Sequence, residues 1–349
     1  MSRIRIAGPL LLLLLMSAPA WGEDRVVIQS PGQSSRVTVS GHIEDYNGRE
    51  LILRTGVGTG VQRFPHEEVI EVLTQYTAPH EEGRRQLQAG HPELAWESLS
   101  RALEAEERKW VRREILALQV QCALWEQKYP QAASRFLAMA ESDLHTRHFR
   151  LIPLAWGDDP LPGMAIAEAR TWLRSSSGVA RLIGASWLLN SADDVEARQV
   201  LDQLGSDPHP YVQRLAQAQL WRVRFRDPSL AKEELRHWEQ LTENFPEVLR
   251  AGPQLLIGRG YAERQEWLPA AAAWLWIPLV HFDRRDLAAE ALWLAAQALE
   301  AAGDPSAAER LGREALSRYP EASTTSATRE LVDRLSKSGT PATMPDTTP

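Results

Sequence analysis

Asp143, His145 and His148 come nearest in this chain to residues that could do chemistry. Two imidazoles three positions apart share a helical face and a carboxylate lies close by, as a metal ion requires. Thr146, Arg147 and Arg150 crowd the same stretch and no third strong ligand is placed beside it, so no metal is expected. Gly56-Val-Gly58-Thr-Gly60 has the glycine density of a phosphate cradle, but it sits between two strand-like runs with no lysine and no helix after it. The helix N-terminus that binds phosphate is missing, and a hairpin loop is the expectation. The acidic pairs Glu81-Glu82, Asp158-Asp159 and Asp193-Asp194 fall at expected helix starts or turns, where carboxylates favour the positive end of the helix dipole. No Gly-x-Ser-x-Gly elbow occurs, and Cys122, the single cysteine, lies in an apolar run that reads as helix core. These readings predict a non-enzymatic chain with no catalytic residue, no cofactor and no metal.

The start of the chain bears on where it works. Arg3 and Arg5 precede the apolar run Leu10 to Met16, which is too short to span a bilayer, and Ala18-x-Ala20 follows it. This order of features predicts a secretory signal peptide over 1–20, with cleavage after Ala20 or, second, after Gly22, and an exported, periplasmic or extracellular protein. No later run is apolar enough for a membrane helix. Loss of Arg3 and Arg5 takes the formal charge from −7 to −9. That acidity argues against nucleic acid as a partner.

Two compositions follow. Residues 25–74 carry five short β-rich runs broken by Pro-Gly, Asn-Gly and glycine-rich turns, which predicts a small five-stranded β-barrel. Within it, Gly41 to Leu53, with Asn47-Gly48 at the turn, resembles the bent hairpin of Sm-like or Src-homology-type barrels. From 78 to 336 the pattern changes to apolar residues at three- and four-residue intervals, the mark of amphipathic helices. Residues 337–349, rich in Pro and Thr, are expected to be disordered.

The helical region repeats a spacing. Small Ala296 is followed twelve residues on by Ala308, seven later by Ala315 and five later by Pro320, with Gly303-Asp304-Pro305 between the two helices. The sets Gly83, Ala95, Ala102, then Val120, Ala132, Met139, then Ala185, Ala197, Leu204 keep the twelve and seven, and Gly258 and Ala270 keep the twelve. This spacing resembles the tetratricopeptide (TPR) repeat. The regions 150–177 and 215–250 are helical by pattern but fit the repeat poorly: Pro153, Pro160 and Pro162 break the first, and Arg222 and Glu234 occupy small-residue positions in the second. Asp207 to Val212 with Arg214 and Ala216 resembles the start of a HEAT-type unit. The expected fold is mainly α: a solenoid of about seven TPR-like, partly HEAT-like helix pairs behind the small barrel.

The TPR resemblance implies that the first helix of each pair lines a concave groove that binds another protein. It points to Arg84 and Gln88, Gln121 and Trp125, Arg259 and Glu263, and then Trp293, Gln297 and Glu300. The function expected from it is an interaction scaffold or adaptor of the cell envelope, its partner another envelope or secreted protein. A second reading comes from thirteen tryptophans beside six Phe and six Tyr. Trp96, Trp110 and Trp125 are spaced as core residues, but Trp267, Trp274 or Trp276 gathered exposed in one cleft would favour cell-wall carbohydrate binding or an enzyme-accessory role.

Overall fold

The computed structural model describes residues 23–32, 34–56, 60–159, 161–225 and 231–338. The expected signal peptide and its cleavage site, Val57 to Thr59 of the glycine loop, and the tail from 339 lie outside them. The chain forms two compact units. One holds the described residues up to Glu44 with Leu51–Tyr76, and the other holds Asp45–Glu50 with the described residues from Thr77 on.

The first unit is a five-stranded sheet built from β1 (Asp24–Ile28), β2 (Val37–Tyr46), β3 (Glu50–Arg54), β4 (Val61–Pro65) and β5 (Val69–Leu73), ordered β4-β3-β2-β1-β5. Alternation buries Val26, Ile43, Leu51 and Leu53 on one face. Gly41 is required where β2 passes β3, because a Cβ there would lie 2.4 Å from the Arg54 carbonyl oxygen. Closure into the expected barrel does not occur: β4 and β5 are the two edges and do not pair. Only the turn His66–Glu68 joins them. It spans at most about 14 Å, less than the roughly 19 Å across five flat strands, so the sheet must curl. Pro65 ends β4 without an N–H to donate, and the chain passes at once into the 3-10 turn, so the outer edge of β4 offers β5 no continuous ladder.

The second unit contains fourteen α-helices among the described residues. Those that follow the repeat spacing pair as α1 (Ala78–Gln88) with α2 (Pro92–Ala105), α3 (Lys109–Trp125) with α4 (Tyr129–Ser142), and α6 (Gly178–Leu188) with α7 (Asp194–Leu204). At the far end α10 (Ala251–Glu263) pairs with α11 (Trp267–Val280) and α12 (Arg285–Ala301) with α13 (Pro305–Arg318). Less regular are α5 (Gly163–Leu173), which packs on α6, α8 (Pro210–Arg224), α9 (Lys232–Glu243), and α14 (Thr325–Ser338), which covers α13.

The twelve-and-seven spacing marks the buried seam between paired helices. Ala95, Ala102, Ala132, Met139, Ala197, Leu204, Ala270, Ala308 and Ala315 are all buried. A Cβ on Gly83 would meet Leu99 at 2.6 Å and one on Gly258 would meet Trp274 at 2.4 Å, so the small residue sets how closely the axes approach. Seven positions after the first small residue, four of these pairs turn through the left-handed region, at Gly90 (φ 88°), Gln127 (56°), Gln265 (60°) and Gly303 (87°). Pro278 lies in the last turn of α11, which ends two residues later.

The first helices α6, α8, α10 and α12 stack side by side. Between α4 and α5 the chain leaves helical geometry, as Pro153, Pro160 and Pro162 predict, apart from a 3-10 turn at Phe149–Leu151. We call residues 152–159 the strap.

Candidate functional site

The strap lies against the first helices as irregular polypeptide, tightened at Pro153 where the Leu154 N–H donates to the Ile152 carbonyl at 2.9 Å. Buried Trp187 donates from its indole N–H to the Pro153 carbonyl at 2.7 Å. The Ala155 N–H donates to Ser186 Oγ at 2.9 Å, and the Ala155 carbonyl accepts from Gln219 Nε2 at 3.2 Å. Asn190 and Arg222 both donate to the Gly157 carbonyl, at 3.3 and 2.7 Å. Arg222 also donates to the Ser186 carbonyl and to Gln219 Oε1, each at 2.8 Å. Ser186, Gln219 and Arg222 are buried polar side chains, and the strap's carbonyls help to satisfy them. Ile152, Leu154 and Trp156 are buried in the core between the helices, and Trp156 fills the space that a Cβ on Gly252 of α10 would need, 2.0 Å from its ring.

The strap's last residues then border an open space. A cavity of about 590 Å³ is walled by Trp156 to Asp159 on one side, by Leu255, Arg259, Ala262 and Glu263 of α10, by Trp267 and Trp274 of α11, and by Glu290, Leu294 and Gln297 of α12. Arg259 pairs with Asp158 of the strap, lies 3.7 Å from Glu263, and covers the Phe225 ring at 4.7 Å. Burial works against the charge on Asp158, but the hydrogen bond and charge of Arg259 outweigh it and hold its carboxyl below the usual range. Glu290 is the opposite case. Burial, with Asp286 and Asp159 nearby, pushes it up to about 7.

This arrangement brings together Arg259, Glu263 and Gln297 of the expected groove residues and separates the others. Gln121 and Trp125 do not border that cavity, although Trp125 also edges a separate space of about 450 Å³ with Pro92, Glu93 and Glu321. The start of α12 returns against the end of α3, Arg285 lies 4.0 Å over the Trp125 ring, and the crevice left between them measures about 20 Å³. Trp125 is a buried aromatic at this closure because a guanidinium covers it. Glu300 faces α14, paired with Arg334, and Trp293 is half-buried without bordering the cavity. Arg84 and Gln88 are exposed on α1, away from it.

The other candidates of the sequence resolve as local structure. His145 and His148 lie in turns beyond α4, so their helical spacing is not realised, and the His145 ring stacks on His209 at 4.9 Å. Thr55 N–H donates to the Gly60 carbonyl and closes the loop between β3 and β4 as a hairpin connection. Cys122 is buried, and burial pushes its thiol up to about 12. Asp207 and His209 cap the start of α8, accepting from the His209 and Tyr211 N–H groups. Of the three tryptophans proposed for sugar stacking, Trp267 and Trp274 share the cavity, while Trp276 packs on His281.

Sequence reasoning missed Trp156, Asp159, Glu290 and Leu294 as site residues. A signal was present: Arg222, at a position where the spacing calls for a small residue, donates to the Gly157 carbonyl in the proline-interrupted stretch.

No protein-family model and no curated protein matches the chain. Among solved structures it is similar to the complex of the TPR2AB domain of yeast Sti1 with pHSP90, at 14% identity and a TM-score of 0.31, over 74% of this chain and 97% of that one. At that TM-score nothing about this chain's function is argued from it. No helix among the described residues is long and apolar enough to cross a membrane.

Proposed function

We propose that this protein is a non-catalytic, exported scaffold that holds a partner protein by an extended segment, on the face formed by the first helices. The observation that supports the reading is the strap. A stretch of ordinary polypeptide is already held on that face by hydrogen bonds to its backbone carbonyls and by one large side chain in a pocket. Past Asp159 the same face stays open as the 590 Å³ cavity, a volume within the range of ligand sites. Export is supported by the order of Arg3, Arg5, the apolar run and Ala18-x-Ala20. Intact mass of the exported protein tests that part, and a species retaining Met1 would overturn it.

A photo-cross-linking residue at Gln297, on the cavity, and another at exposed Glu97 of α2 test the binding surface. The expected result is a defined envelope protein captured at position 297 and not at 97. Equal capture at both, or none at 297, would move binding off this face.

The second reading, binding of cell-wall carbohydrate, is supported by half-buried Trp267 on the cavity, while Trp274 beside it is buried with its indole N–H on the Leu255 carbonyl. Saturable change of tryptophan fluorescence with cell-wall glycan fragments, lost in Trp267→Ala, is its test.

A further inference from the structure

We infer that the cavity between the strap and α10–α12 selects a cationic side chain, lysine or arginine, carried by an extended peptide segment. The inference rests on the reading that the first-helix face binds polypeptide. Its ground is the charge of the walls. Asp158, Asp159, Glu263 and Glu290 border the space, and among the described residues that wall it Arg259 is the one cation, already engaged with Asp158 and close to Glu263. A guest acid would meet carboxylates. A neutral apolar guest would leave them desolvated and unpaired, which costs more than its burial returns. A long cationic side chain fits both halves of the lining: its methylene stem can lie along Trp267 and Leu294 while its head reaches the carboxylates.

Geometry agrees with charge. The neighbouring occupant of this face, the strap, is itself non-helical polypeptide held by its carbonyls, and it places one large side chain, Trp156, against α10. Burial, with Asp286 and Asp159 adding to it, pushes Glu290 up to about 7, so the carboxylates stand close enough to act on one another.

A positional-scanning library of capped nonapeptides, with the central residue fixed and the flanks randomised, tests the inference on the full-length exported protein. Pools with central Lys or Arg should be retained about five-fold or more over the norleucine pool, as for a partly desolvated cation beside carboxylates and aromatic rings. Glu263→Gln and Glu290→Gln together should abolish that preference while leaving the norleucine pool unchanged, with the melting transition checked in parallel. Gln297→Trp, which fills the cavity from an exposed position, should reduce retention of every pool. Peptides retained with no preference for Lys or Arg would overturn the cation selection and leave polypeptide binding standing. Retention of no pool above the Gln297→Trp background would overturn both.

Discussion

Arg222 of α8 donates to the carbonyl of Gly157, 65 residues earlier, at 2.7 Å. An arginine at a position where the repeat spacing calls for a small residue thus supplies the fork that holds the strap inside the helical unit. The same guanidinium reaches the Ser186 carbonyl and Gln219 Oε1, so it links α6, α8 and the strap through one planar group.

Arg222→Ala should cost about 3 kcal/mol of stability, since it strands buried acceptors as well as removing charge-assisted bonds. Arg222→Lys should recover little, because an ammonium cannot reproduce the fork. Denaturant unfolding measures both. A loss below about 1 kcal/mol for the alanine variant would show that the strap is held without it.

Gly252→Ala makes the opposite prediction from helix propensity. In an open helix interior alanine stabilises by about 1 kcal/mol over glycine. Here the new Cβ would sit 2.0 Å from the Trp156 ring, and the variant should lose about 1–3 kcal/mol by overpacking. Adding Trp156→Ala should make the Gly252→Ala change favourable. A thermodynamic cycle over the four proteins reads the sign directly.

Gln265→Gly and Gln127→Gly should each stabilise the protein by roughly 0.5–1 kcal/mol, because both glutamines occupy left-handed backbone at φ 60° and 56°. Gly303→Ala, at the equivalent position with φ 87°, should destabilise by about 1 kcal/mol. Melting temperatures of the three variants decide it, and a uniform sign across them would contradict the assignment.

Arg259 is expected from the TPR resemblance to be a groove-lining surface residue, and such residues contribute little to stability. Its pairing with Asp158 and its place over Phe225 change that expectation: Arg259→Ala should cost about 1 kcal/mol, moderated by partial exposure. Glu300→Ala removes an exposed pair with Arg334 and should stay within about 0.5 kcal/mol of the parent. Separate melts of the two single variants distinguish these roles.

Stability should carry two opposed pH terms. Glu290, near 7 when folded against an ordinary 4.5, keeps a proton that the unfolded chain has lost, so its term falls as pH rises from 4.5 through 7. His80, lowered to about 4 by burial and by Arg84, is neutral where the unfolded chain is protonated. Its term is lost as pH falls through 6.5 towards 4. Each is on the order of 2–3 kcal/mol. Glu290→Gln should therefore gain stability over the parent as pH rises to 7, and the difference should level off above it. A difference that does not vary between pH 5 and 8 would remove the buried-carboxyl reading.

The helix pairs were legible because their cause is local. A twelve-and-seven spacing of small residues is what two packed helices joined by a short turn need, and those positions are buried where the spacing puts them. Proline likewise acts in its own neighbourhood: the pattern over 150–177 reads as helix broken by prolines, and the described residues from Ile152 to Pro162 are not helical at all. The curl of the sheet without closure was not legible, because ladder formation between two edges depends on the backbone groups those edges present to each other rather than on any strand's own alternation. Nor was the filled part of the first-helix face. Trp125 is covered by Arg285 from 160 positions away. The strap is held through backbone carbonyls, which every residue carries alike and which leave no pattern in the sequence. Residue order alone determined that there are paired helices and where they break. Which of their inner surfaces stays open, and that carboxylates and tryptophans wall it, was decided only when the chain folded back on itself and brought Asp158, Arg259 and Glu290 to one cavity.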